Sequence, residues 1–133
     1  MKKQRATKKR VEALEEQVFQ YEVTLTKIIP REIAQHSDTL TEEIGILLFQ
    51  RDWLEQEFQH DGTDGALAPL WQRVQELDKI FIKQRWMILH HGYDYYHRER
   101  ERLKIPQAYW WWYLDELESA KLPDWVMAER KRT

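Results

Sequence analysis

The sequence predicts an all-α fold: an antiparallel helical bundle of three long helices plus a shorter C-terminal helix, with a basic N-terminal arm. Three observations predict it. Apolar residues recur at spacings of three and four along most of the chain. Nowhere do four to eight β-branched residues alternate with polar ones, so no strand competes. Only four Gly and four Pro occur in 133 residues, which leaves few turns and long elements.

The first helix is read from about Thr7 to Ile29. Val11, Leu14, Val18, Tyr21, Leu25 and Ile28 form an a/d seam, with Glu12, Glu15, Glu16 and Glu22 off it. Pro30 is expected to end or kink this helix, because it lacks an N–H and its ring crowds the preceding turn. It also suits the first position of a short helical turn at Arg31–Gln35.

The second helix is expected after a capping box, Thr39 to Glu42. Leu40, Ile44, Leu47, Leu48, Leu54 and Phe58 make its apolar stripe, which Arg51 interrupts and Trp53 flanks. It stops at His60-Asp-Gly-Thr-Asp-Gly65, which has turn chemistry. The third helix begins near Pro69 and reaches about Leu103. Its seam is Leu70, Val74, Leu77, Phe81, Ile88 and Tyr95, widened by Trp71 and Ile80. Gln84 and His91 stand as polar insertions at seam positions, where they would set register in an oligomer. Gly92 costs about 1 kcal/mol against Ala in a helix, so a bend is expected there. The fourth helix covers about Gln107–Ala120. The domain organisation is then a flexible basic arm at 1–10, one bundle at 11–122, and a tail at 123–133.

Charge is unevenly spread. The arm carries six basic residues and no acid, and residues 11–65 carry three basics and thirteen acids. Such a dipole suits self-association or an anionic partner at one end more than uniform nucleic-acid binding. No signal-peptide core follows the arm, and no run of about 18 apolar residues exists to span a membrane, so a cytoplasmic protein is expected. With no Cys, disulfides, thiolate metal sites and cysteine nucleophiles are excluded.

Seven Trp, six Tyr and four Phe in a chain that is 33% charged argue against disorder. Many cluster at Tyr93, Tyr95 and Tyr96 and in the block Tyr109-Trp110-Trp111-Trp112-Tyr113. Five consecutive helical residues point to every side, so one of Trp111 and Trp112 is expected to face outward or to meet another part of the chain. An aromatic core wrapped by the tail, and a platform for stacked bases or a membrane interface, compete with this reading. An aromatic core is the plainer expectation, since Trp is highly buried on average, but because Trp, Tyr and Arg dominate binding hot spots the functional reading commits to a contact surface. It comprises Tyr109, Trp110, Trp111, Trp112 and Tyr113, rimmed by Tyr96, Arg98 and Arg102. Cation–π contacts from Arg98, Arg100 and Arg102 are expected there.

Three functions follow in order of expectation. The first is a non-enzymatic protein–protein interaction module, an adaptor or assembly subunit, without cofactor and in a homo-oligomer or larger complex. The second is a nucleic-acid-associated protein whose Lys2, Lys3, Arg5, Lys8, Lys9 and Arg10 contact phosphates. A basic segment running into heptads resembles the layout of a basic zipper, but the base-reading Asn/Ala pattern is missing and the heptads stop at Pro30. The third is a helical metalloprotein. His90, Asp94 and His97 share one helix face, and Glu57-Gln-Phe-His60 has the Glu-x-x-His spacing of carboxylate-bridged metal bundles. The further inward Glu residues that such a bundle needs are not evident. The Asp61–Gly65 loop lacks calcium-loop spacing. No serine-nucleophile or phosphate-loop motif is present.

Overall fold

The computed structural model describes residues 7–116. They are mostly helical, with no strand among the described residues. Helix α1 spans Lys8–Val23, α2 Ile29–Ala34, α3 Leu40–Asp61, α4 Ala68–Lys83 and α5 Arg85–Leu103. Short 3-10 turns cover Gly65–Leu67, Trp110–Trp112 and Leu114–Glu116. The basic arm's first six residues, the tail and residues 117–120 of the expected fourth helix lie outside the described residues.

Helix α1 opens where Thr7, in extended conformation, accepts the Arg10 N–H on its hydroxyl. Helical structure therefore begins at Lys8, inside the segment read as an arm. The apolar seam of α1 is buried at Leu14, Val18, Tyr21 and Leu25, and then at Ile29 instead of the expected Ile28. The one-residue shift has a cause. A π-helical turn at Thr24–Ile28 joins α1 to α2, with the Ile29 N–H donating to the Thr24 carbonyl. One extra residue enters the turn just before Pro30. The chain thus carries the proline in the first turn of α2, the second of the two roles expected of it.

The stripe of α3 is buried as read, at Leu40, Ile44, Leu47, Leu48, Leu54 and Phe58. Its capping box does not form. Thr39 has φ −94 and ψ 4 and makes no capping bond. Its hydroxyl instead donates to Glu32 at the end of α2, and an N-cap oxygen needs extended backbone to reach the N–H groups. That contact lies at one end of the α1–α3 pair. At the other end Arg10 reaches Glu57 and Asp61, so the α1–α2 run and α3 pack antiparallel.

The expected third helix is divided at Gln84, which ends α4 and precedes α5. The buried stripe changes register across this joint. Val74, Leu77, Phe81, Ile82, Ile88, Leu89 and Tyr96 are buried, whereas His91 is exposed and Tyr95 half-buried. His91 is therefore not a seam residue. The bend expected at Gly92 is present, with φ −131 and ψ 15. A Cβ at Gly92 would stand 2.8 Å from Ile44 Cδ1, and one at Gly45 would meet the Tyr95 hydroxyl at 2.5 Å. Two glycines thus let α3 and α5 approach closely.

Arg51, the interruption in the α3 stripe, is 1% exposed. Its Nε and Nη2 donate to the two oxygens of Asp78 at 2.9 and 3.0 Å, and Nη2 also lies 3.1 Å from Glu55. Asp78, on α4, accepts a third bond at 2.6 Å from the Tyr21 hydroxyl of α1. The three helices are thereby tied by one buried polar cluster. Burial pushes the Asp78 carboxyl above its ordinary value, against the opposing pull of Arg51 and Tyr21. Burial alone would lower the Arg51 pKa, but Asp78 more than offsets it, and the guanidinium stays charged. Removing one partner of such a pair strands the other charge, at a cost of about 3–5 kcal/mol. We expect Asp78→Ala to lose stability of that order by urea unfolding. Tyr21→Phe, which removes one bond to a carboxylate that keeps its arginine, is expected to lose about 1–2 kcal/mol.

Candidate functional site

The Trp block was expected on a helix, with one indole outward. It is not on an α-helix, and all three indoles are buried: Trp110 is 2% exposed, Trp111 and Trp112 are both 0%. A regular helix would turn successive indoles 100° apart and leave one in solvent. Tyr109 (φ −83, ψ 72) and Tyr113 (φ −126, ψ 35) break the helical path on either side. The 3-10 turn still fans its three indoles apart, and each is buried because a different part of the chain meets it: Phe81 beside Trp110, Arg51 beside Trp111, Phe49 and Tyr96 beside Trp112.

Polar contacts hold this segment against α3 and α5. Asp52 Oδ1 accepts from both the Trp111 and the Trp112 indole N–H, at 2.6 and 2.8 Å. The Tyr96 hydroxyl donates to the Trp111 carbonyl and accepts the Leu114 N–H. Arg100 Nη1 donates to the Trp112 carbonyl at 3.0 Å, and both Nη atoms engage the Asp115 carboxylate. The Arg100 guanidinium lies 4.7 Å from the Tyr113 ring and 5.5 Å from Tyr96.

The underside of the block covers Arg51. The Arg51 guanidinium lies 4.2 Å from the Trp111 ring, with Trp71 at 5.6 Å and Trp110 at 5.9 Å. Its Nη1 has no hydrogen-bond acceptor. The electron-rich indole faces supply the attraction in place of one. Trp110 also meets Phe81 edge-on, and Trp112 packs on Phe49 and Tyr96.

Trp110, Trp111, Trp112 and Tyr96 are therefore core, which corrects the expected contact surface. Tyr109 and Tyr113 are half-buried, with Tyr109 stacked on Trp111. Of the expected rim, Arg98 and Arg102 are on the surface, their side chains 68% and 62% exposed. Arg102 pairs with Glu99.

The exposed aromatic surface lies elsewhere. Trp86 is 62% exposed and Tyr93 45%, seven residues apart on the outer side of α5. His90, Asp94, His97 and Arg98 are exposed with them. Tyr93 stacks on His97, and His90 meets His91 edge-on. Sequence reading missed Trp86 because it stands apart from the aromatic clusters, yet it falls outside the α4–α5 apolar seam, a signal available in the spacing. Phe19, Ile46 and Phe49 are exposed too, on α1 and α3.

The metal reading is not assembled. His90, Asp94 and His97 share the α5 face as expected, but no group of three or more His, Asp or Glu able to hold a metal ion occurs among the described residues. Glu57 is taken by Arg10, and His60 hydrogen-bonds Asp61 at the surface. The anionic-partner reading loses Arg10 to Glu57 and Asp61, and Arg10 also lies 5.9 Å from the Trp53 ring. Lys8 and Lys9 are exposed in the first turn of α1. Lys2, Lys3 and Arg5 lie outside the described residues. A groove of about 620 Å³ beside α4, lined among others by Thr63, Trp71, Gln75 and Lys79, carries no convergent set of reactive groups. No described helix is long and apolar enough to cross a membrane. No protein-family model, curated protein or solved structure matches the chain.

Burial raises the Asp52 pKa above its ordinary value, although both indole N–H bonds and Arg51 act to lower it. The folded state thus holds the Asp52 proton more tightly than the unfolded chain does. This group's contribution to stability is greatest below the unfolded carboxylate value and is lost as pH rises through the folded one. Asn at this position keeps an oxygen for both indoles and cannot ionise. We expect the stability of Asp52→Asn, relative to wild type, to improve as pH is raised through that window in parallel urea titrations. Asp52→Leu, which leaves two indole N–H groups unpaired, is expected to cost about 2–4 kcal/mol below the ordinary carboxylate range and less as pH rises through the folded Asp52 value.

Proposed function

We propose that the protein is a non-enzymatic helical interaction module, an adaptor or assembly subunit. It engages a protein partner through the outer face of α5. The observation that carries this reading is the exposure of Trp86 and Tyr93, seven residues apart on the same side of α5. A solvent-exposed Trp ring gains strongly from being covered, and Trp, Tyr and Arg are the side chains that dominate binding energy.

The buried Trp block supports the same reading indirectly. It locks the C-terminal end of α5 through Tyr96 and Arg100. A face held in one conformation loses little entropy when it binds.

The test is affinity capture with the immobilised chain, comparing wild type with Trp86→Ala/Tyr93→Ala. The double variant is expected to bind the recovered partner at least about 30-fold more weakly, the effect of losing a hot spot. Its melting temperature is expected to stay near that of wild type, because both side chains are exposed. Undiminished capture would contradict the assignment of this face.

A further inference from the structure

We propose that the partner on this face is a second copy of the chain, and that two α5 helices pair antiparallel about a two-fold axis at Gly92. This inference rests on the assignment of the α5 face above and names what fills it.

The outer side of α5 carries its own seam. Met87, His90, Asp94 and His97 follow at spacings of three, four and three, a heptad pattern on the side facing away from the core. His90, Asp94 and His97 are exposed and Met87 is half-buried. Within a bundle whose inner seam is already filled, a second a/d seam is available for another helix.

The pattern is self-complementary in one orientation. With two copies antiparallel and centred on Gly92, Met87 stands opposite His97 of the second copy and His90 opposite Asp94, while Trp86 and Tyr93 of both copies line one flank of the seam. Each contact occurs twice, as two-fold symmetry requires. Imidazole opposite carboxylate is a hydrogen bond or ion pair. Asp94 has no hydrogen-bond or ion-pair partner among the described residues. Parallel pairing would instead place Asp94 against Asp94.

The bend at Gly92 does not spoil this register. Its φ and ψ depart from helical values in opposite senses, so the rotation per residue is nearly retained. Gly92 itself faces Ile44 of α3, on the side away from the seam. One pair of helices buries less than a standard protein interface, so the dimer is expected to dissociate in the micromolar range.

Charge exchange tests the pairing by sedimentation equilibrium from about 1 µM to about 1 mM, a range that brackets such affinities. His90→Asp sets a second carboxylate opposite Asp94, twice per dimer. Asp94→Lys sets an ammonium opposite His90, also twice. Each variant alone is expected to dimerise about tenfold or more weakly than wild type. In an equimolar mixture, the carboxylate introduced by the first variant meets the ammonium introduced by the second, and His90 of one chain again meets Asp94 of the other. The mixture is expected to return within about threefold of wild-type affinity as a heterodimer. Effects inside one helix are the same in both experiments, so they cannot mimic the rescue. Circular dichroism confirms that both variants stay folded.

A wild-type chain that remains monomeric throughout the range overturns the self-pairing. It leaves the α5 face to a different protein, which the capture experiment decides. A wild-type dimer that neither charge variant weakens, and that Trp86→Ala/Tyr93→Ala also leaves intact, overturns self-pairing on this face. In that case, capture undiminished by the same double variant would remove the face itself.

Discussion

A charged arginine inside a helical core constrains everything around it. Arg51 needs two acceptors, and Asp78 supplies both, itself held by Tyr21. An isolated guanidinium in this position would cost several kcal/mol, a large share of a domain's net stability, so the register that brings the cluster together is favoured over its neighbours. A wholly apolar core would tolerate slippage by a turn. This cluster does not.

The aromatic segment follows from the same constraint. One guanidinium nitrogen and both faces of the ion still need covering, and aliphatic side chains cannot do it favourably. The faces of Trp111, Trp110 and Trp71 can. A Trp brought inward must satisfy its own N–H, and Asp52, one residue beyond Arg51, accepts two of them. A single turn of α3 thus presents one charge downward to Asp78 and the next outward to the indoles. Arg100 and Tyr96 hold the segment's backbone from α5, joining its far end to the core. With the inner side of α5 committed in this way, Trp86 and Tyr93 remain on the outside. They are the aromatic surface that the proposed pairing covers.

The apolar seams of α1 and α3 were legible because a helical period exposes itself in a single sequence. Leu14, Val18, Tyr21, Ile44, Leu48 and Phe58 fell where spacing put them. The Gly92 bend was legible because glycine weakens a helix locally. Other features depend on contacts far apart in the chain. Arg51 stood out as an interruption, but its partner Asp78, 27 residues later, resembles any charged residue beside Leu77. The shift from Ile28 to Ile29 requires a π turn that no periodicity announces. The Trp block reads as a surface because its covering residues, Asp52, Phe49 and Phe81, lie far from it in the chain and no local spacing announces them. Trp86, isolated in sequence, was the exposed one.

Hydrogen exchange of the indole N–H groups, followed by NMR with assigned Trp resonances, tests this arrangement most directly. The Trp111 and Trp112 protons, each hydrogen-bonded to Asp52 within the core, should exchange only when the whole domain unfolds, with protection that falls in step with global stability. Exchange of Trp111 and Trp112 at the unprotected rate of a solvent-exposed indole would show that the block is not the roof of the Arg51 cluster.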